Sequence, residues 1–362
     1  MRIKYLSASA AIVAAMALSL TGAGPASAAA TRPAAAPASP FSGIYLVGRT
    51  VDTCTGFQSP TGGPPCANTP LSFMFTSGTL TVNYGLGWVN PSLRLSFDDG
   101  IWQASGTWLA SYCNNTEVPT DVTFDLIASG GGISGTYTSV RPAGKCAEGK
   151  AVETLLPAAL PSWWNGSLCD NTDTSTYNAK TNPDPFTSYQ GPPAWHGLIS
   201  CGGNAPYSGE YPIQSGPLSG DEEWQCAELA QRWLYMAFGV PNVPQGLPPA
   251  GGGNSVAYKY YTQQLEKYPG KYPLTYYGPG SSGPFGPGDV VSYGTTAPGH
   301  VGIVTSVDPK TKTYSIIQQN PARIVTGIKY RGSGDNITPE GFGGIYSMNG
   351  WLHFTPFLVE QA

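Results

Sequence analysis

"EWQCAELAQRWLYMAFG", Glu223 to Gly239, carries a strong helical pattern in a chain that otherwise reads mostly as strand and turn. Cys226, Ala230, Trp233 and Ala237 recur at helical spacing on one face, with Leu229 and Leu234 beside them. Ser219 followed by Glu222 forms a capping box, with Asp221 as the rival cap. Gly239 and Pro241 stop the run. The pattern predicts a helix from about Gly220 to Phe238, with Cys226 in its first turns at the edge of the apolar stripe. A second helix is expected over Ser255–Lys267. The strands "DVVSY", "HVGIVTSV", "TYSIIQQ", "GIYSM" and "WLHFT" follow, so the C-terminal part, residues 212–362, is expected to be α+β with an antiparallel sheet.

Upstream the periodicity changes. From Phe41 to Leu156 the chain alternates short segments rich in β-branched and aromatic residues with turn residues: "GIYLVGRTV", "LSFMF", "GTLTVNY", "SLRLSF", "IWQASGTWLA", "DVTFDLIA" and "GISGTYTSV". Asp98-Asp99-Gly100 is a hairpin turn candidate. This spacing predicts an all-β domain over 41–156, a barrel or sandwich. Trp88, Trp102 and Trp108 are expected in its core rather than on a sugar-binding face, because large aromatics are mostly buried. Residues 157–211 have little periodicity and read as a disulfide-stapled connector. Residues 29–40 are an Ala/Pro-rich linker. Before it, Arg2 and Lys4, an apolar run from about Ala8 to Leu20, and Ala26-Ser27-Ala28 have the form of a secretory signal over residues 1–28. The apolar run is shorter than a bilayer span. An exported protein with no membrane span is expected, extracellular or wall-associated.

Composition narrows the partners. Charged residues are 11% of the 362, Gly and Pro number 47 and 34, and the formal net charge is −4. With no run of lysine or arginine to grip phosphates, nucleic acid is not an expected partner. No HExxH, CxxC or paired carboxylate–histidine cluster points to a metal or cofactor.

Seven cysteines in an exported chain leave one over. Neighbour pairing, Cys54 with Cys66, Cys113 with Cys146 and Cys169 with Cys201, is one of the possible connectivities and leaves Cys226. Thiols attack carbonyls as thiolates, favoured at helix starts and beside an imidazolium. Glu222, Glu223 and Glu228 oppose this by charge, so a histidine partner is needed. Of the three histidines, His300 opens a strand. His196 ("AWHGL") and His353 ("WLHFT") read as structural. Pairing Val307 with Thr313 across the "DPKTK" turn puts Gly302 opposite Gln318 and His300 opposite Asn320. An amide beside the imidazole would fix its tautomer, giving a nucleophile, a base and an orienter. Asp289 reads as an acceptor of backbone hydrogen bonds at a strand start. Gln225 has two readings, an oxyanion donor with the Cys226 N–H or a surface residue. Trp224 either walls a substrate groove or packs.

"EWQCAELAQRWL", "FGPGDVVSYG", "GHVGIVTSV" and "YSIIQQN" resemble, in order and spacing, the four motifs of the CHAP family of cysteine- and histidine-dependent amidohydrolases/peptidases. The resemblance covers about Tyr211 to Phe357. It implies a papain-like α+β fold, Cys226 as nucleophile and His300 as base. The family's third motif usually carries a glutamate two residues before an asparagine; this chain has Gln318 there and keeps Asn320, so either amide is a candidate orienter. For an exported protein the implied substrate is peptidoglycan, cut in the stem peptide, the cross-bridge or the glycan–peptide amide through a thioester. The bacterial cell wall or a peptide-like substrate is then the expected partner, and the β-domain a wall-binding or specificity module. The alternatives are a cysteine amidase for another amide, and a non-catalytic surface-binding protein with a degenerate CHAP-like domain.

Overall fold

The alternating segments upstream form eight strands: β1 (Gly43–Thr55), β2 (Leu71–Thr76), β3 (Thr79–Asn83), β4 (Leu93–Asp98), β5 (Ile101–Cys113), β6 (Thr116–Ser129), β7 (Gly132–Arg141) and β8 (Gly149–Leu156). In this computed structural model each pairs antiparallel with the next, and β8 pairs back to β1, closing a barrel. The structure describes residues 38–57, 66, 71–83, 92–113, 116–129, 131–144, 146–157, 194–200, 226–240, 272, 274–294, 300–319, 323–341 and 347–354. The expected leader, the helix over 255–267 and most of the connector lie outside them, as do Trp88, Ser219, Asp221, Glu222 and Glu223.

Period-two alternation fills the barrel. Tyr45, Val47, Phe73, Phe75, Trp102, Trp108, Phe124, Leu126 and Tyr137 belong to one buried cluster, so Trp102 and Trp108 are core residues. Asp98 pairs with Ile101 across a two-residue turn. Asp99 and Gly100 have φ of 44° and 84°, the doubly left-handed turn whose twist matches a hairpin. Of the neighbour disulfides, Cys54–Cys66 is formed. Cys146 is also disulfide-bonded, while Cys169 and Cys201 lie outside the described residues.

Within the connector, β9 (Ala194–Trp195) and β10 (Leu198–Ile199) make a tight hairpin. The helix α1 spans Cys226–Phe238. The C-terminal strands are β11 (Leu274–Tyr277), β12 (Val290–Tyr293), β13 (His300–Asp308), β14 (Thr313–Gln318), β15 (Arg323–Ser333), β16 (Asn336–Pro339) and β17 (Met348–Phe354). They form one antiparallel sheet in the order β11-β17-β12-β13-β14-β15-β16. Val290, Val301, Ile303, Ile317 and Leu352 share a buried cluster with Leu229, Ala230, Trp233 and Ala237 of α1. The helix thus lies against one face of the sheet. Val291, Tyr293, Val304, Tyr314, Ile316 and Trp351 form a separate core.

The barrel is packed onto this assembly. Ile44, Leu46 and Met74 of β1 and β2 belong to the α1 cluster rather than the barrel's own. Along β1, Tyr45 and Val47 point into the barrel and Ile44 and Leu46 point out against the helix. Each buried side chain of that size contributes about 1.5–3 kcal/mol. The Ser72 hydroxyl donates to the Met236 carbonyl, and the Leu46 N–H to the His196 carbonyl at 2.8 Å.

Candidate active site

Cys226 is the first described residue of α1, is partly buried, and is the free cysteine among the described residues. Burial of its sulfur works against the thiolate. The charge of His300, a hydrogen bond to that imidazole, and the backbone N–H groups of Val301 and Ala227 outweigh burial and hold the thiol below its ordinary pKa. His300 opens β13 and is 6% exposed. Burial again opposes its charged form. The Cys226 thiolate, by charge and hydrogen bond, and the Gln318 acceptor raise its pKa, while the charge of Arg323 pulls the other way. Each partner stabilises the other's ion, which favours a thiolate–imidazolium pair.

The Gln318 Oε1 lies 2.9 Å from His300 Nε2. An amide oxygen only accepts, so Nε2 carries a proton and Nδ1 is left for the thiol. Gln318 is therefore the amide bonded to the imidazole; Asn320 lies outside the described residues, as do Gln225 and Trp224.

The register that joins them differs from the sequence reading at the turn and agrees with it at the site. Asp308, not Val307, faces Thr313. An extra residue in β13 between Val304 and Ser306 then resets the pairing to Ile303 with Ile317. Continued one step, Gly302 faces Gln318, as the shifted turn pairing alone would not allow. His300 and Gln318 are then diagonal neighbours, within reach of a long side chain. Position 302 must stay small: an added Cβ would lie 2.8 Å from Ile316 Cδ1 and 3.2 Å from the Ile317 carbonyl oxygen.

A buried network holds α1 to the site strand. Arg232 Nε donates to Glu228 Oε1 at 2.7 Å, with both side chains fully buried. Arg232 also donates to the Ile199 carbonyl at 2.9 Å and to Gln319 Oε1 at 3.1 Å. Gln319 Nε2 returns a bond to Glu228 Oε2 at 2.8 Å. The Ser200 hydroxyl donates to the Gln318 carbonyl. The Glu228 charge, expected to oppose the thiolate, is thus paired with a guanidinium four residues on. The i, i+4 spacing of Glu228 and Arg232 was the available signal for this brace.

The other histidines are bonded elsewhere. His196 stacks on Tyr45 and Trp195, with ring centroids 3.8 and 4.1 Å away. Its Nδ1 is 2.8 Å from the Ile44 carbonyl oxygen. Burial pushes its pKa down to about 4. His353 Nδ1 is 3.0 Å from Asp289 Oδ1. Asp289 also accepts from the backbone N–H of Gly286 at 2.9 Å and Phe354 at 3.4 Å. Among the described residues, no group of three His, Cys, Asp or Glu side chains is placed to hold a metal. None of the described helices is long and apolar enough to cross a membrane.

Residues 218–320 match the family model of the CHAP domain. That family is generally hydrolytic, made up of amidases and peptidases related to peptidoglycan. No curated protein and no solved structure matches the chain. The match spans Cys226, His300, Gln318 and Asn320.

Proposed function

We propose that the protein is an exported cysteine amidohydrolase that cleaves amide bonds of bacterial peptidoglycan. The observation that carries this reading is the Cys226 thiol beside an imidazole oriented by Gln318, inside a CHAP domain match. In the reaction the Cys226 sulfur attacks the amide carbonyl carbon and a C–S bond forms. The C–N bond then breaks as protonated His300 gives its proton to the leaving nitrogen. Water attacks the thioester with His300 as base, releasing the carboxylic acid and restoring the thiolate. Asn320 remains a candidate second orienter, and Gln225 a candidate donor to the developing oxyanion. A cysteine at a helix start facing a histidine on an antiparallel sheet is the layout of papain-like enzymes, and this chain is read as one. The barrel is read as a wall-binding or specificity module, acting from its outer surface because aromatic side chains fill the described interior.

The bond is the test. Mature protein on purified peptidoglycan is expected to release amino groups without new reducing ends, with fragment masses identifying the amide cut. No release from walls of several chemotypes under mild reductant would rule out peptidoglycan. Activity on other peptide amides would then favour a cysteine amidase of different substrate.

A further inference from the structure

His300, Gln318 and Arg323 form a row across three adjacent strands. Gln318 bonds to His300 and stands directly opposite Arg323 in the β14–β15 register. Directly opposed residues share a sheet face. Arg323 is half-buried, and its charge is close enough to oppose protonation of His300. It takes no part in the four ion pairs among the described residues. Its Nε is buried without a hydrogen-bond partner. A guanidinium is all donor, and a buried donor left unmade is costly. Arg141 Nε likewise makes no hydrogen bond, but the rest of that guanidinium donates to the Gly56 and Ala147 carbonyls, as Arg232 does to Glu228, Ile199 and Gln319. The neighbour facing Arg323 is a neutral amide whose oxygen is turned to His300.

We propose that Arg323 is a specificity-determining residue that binds a free carboxylate beside the scissile amide, so that the site prefers anionic over neutral substrates. The guanidinium fork matches a carboxylate in two parallel hydrogen bonds. This rests on Cys226 being the nucleophile. It adds the class of substrate: peptides carrying a free carboxylate close to the bond cut, rather than their carboxamide forms.

Alkylation of Cys226 tests this without any natural substrate. Iodoacetate and iodoacetamide carry out the same displacement and differ by one negative charge. We compare their rates at pH 6 and low ionic strength, by intact mass, in wild type, Arg323→Gln and Arg323→Lys. The iodoacetate-to-iodoacetamide ratio is expected to fall about fivefold in Arg323→Gln, the scale of one close charge pair in water. Arg323→Lys keeps most of the ratio. In wild type, 0.5 M salt compresses it, an arm that holds even if the glutamine variant fails to fold. A ratio that is the same in wild type and both variants and indifferent to salt, with iodoacetamide still reacting, overturns the carboxylate role and leaves the nucleophile standing. Wild-type thiol inert to iodoacetamide at pH 6 sinks the nucleophile reading, and this inference with it. On peptides, the wild-type preference in kcat/KM for a carboxylate over its carboxamide is expected to collapse in Arg323→Gln.

Discussion

Acid is expected to loosen the seam between barrel and helix through one half-buried imidazole. His196 lies between Tyr45 of the barrel and Trp195, with Nδ1 on the Ile44 carbonyl. Burial holds its pKa at about 4, against an ordinary value of 6.5. The folded state therefore resists protonation and the unfolded state does not. The stability tied to neutral His196 is fully present above about pH 6.5, declines as the pH falls, and is gone below about 4. At ~1.4 kcal/mol per pH unit, the whole effect is about 3 kcal/mol, of which about 2 kcal/mol is lost by pH 5. The control is His196→Asn. Asparagine tolerates the left-handed backbone at this position, where φ is 48°, and its amide can donate to the same carbonyl, but it does not titrate. Urea unfolding at pH 7 and pH 5 gives the pH-linked loss for each protein. Carboxylates titrate in both, so the difference between the two losses isolates the imidazole. Equal losses in wild type and His196→Asn would show that the imidazole does not carry the acid sensitivity.

Three further outcomes follow from the same contacts. Gln318→Leu removes the acceptor on His300, costing about 2 kcal/mol or ~30-fold in kcat/KM; because that acceptor raises the His300 pKa, the alkaline limb of the pH–rate profile moves to lower pH. Arg232→Met strands the Glu228 carboxylate in the interior and costs about 3–5 kcal/mol in denaturant unfolding, and adding Glu228→Gln recovers much of it. Leu46→Ala, a barrel substitution, costs about 2–5 kcal/mol and lowers the unfolding midpoint of the α1 region with that of the barrel, read by Trp233 fluorescence in a protein whose other tryptophans are replaced by Phe.

What was legible in the sequence was whatever has a period. Alternation placed the barrel strands, and the 3.6-residue stripe placed α1 with Cys226 in its N-terminal part. The strand carrying His300 followed from "HVGIVTSV". Register was not legible, because a turn shift and a bulge change the pairing without leaving a hydrophobic signature. Asp308 rather than Val307 faces Thr313 at the turn, and the extra residue near Thr305 brings Ile303 opposite Ile317, the register expected from the sequence beyond the bulge. The bond from Gln318 to His300 depends on that register and on the reach of a long side chain. β15 escaped notice because "RIVTGIKYRGS" breaks its alternation at Gly327, where the β14–β15 register also shifts. The barrel–helix seam has a signal in the sequence: Ile44-Tyr45-Leu46-Val47 is apolar without alternation, which marks a strand covered on both faces. Gln319 lies inside "YSIIQQN" with no role of its own in that motif, Arg323 lies beyond it, and their roles come only from which strands lie side by side.

His300 keeps Cys226 as a thiolate. The most direct test of this is the rate of Cys226 alkylation by iodoacetamide across pH, in wild type and His300→Ala. The wild-type thiol is expected to react well below the ordinary thiol range, near 8.5, and the titration of the variant to move to or above that value. Superimposable curves for the two proteins, both centred at the ordinary thiol value or higher, would contradict it.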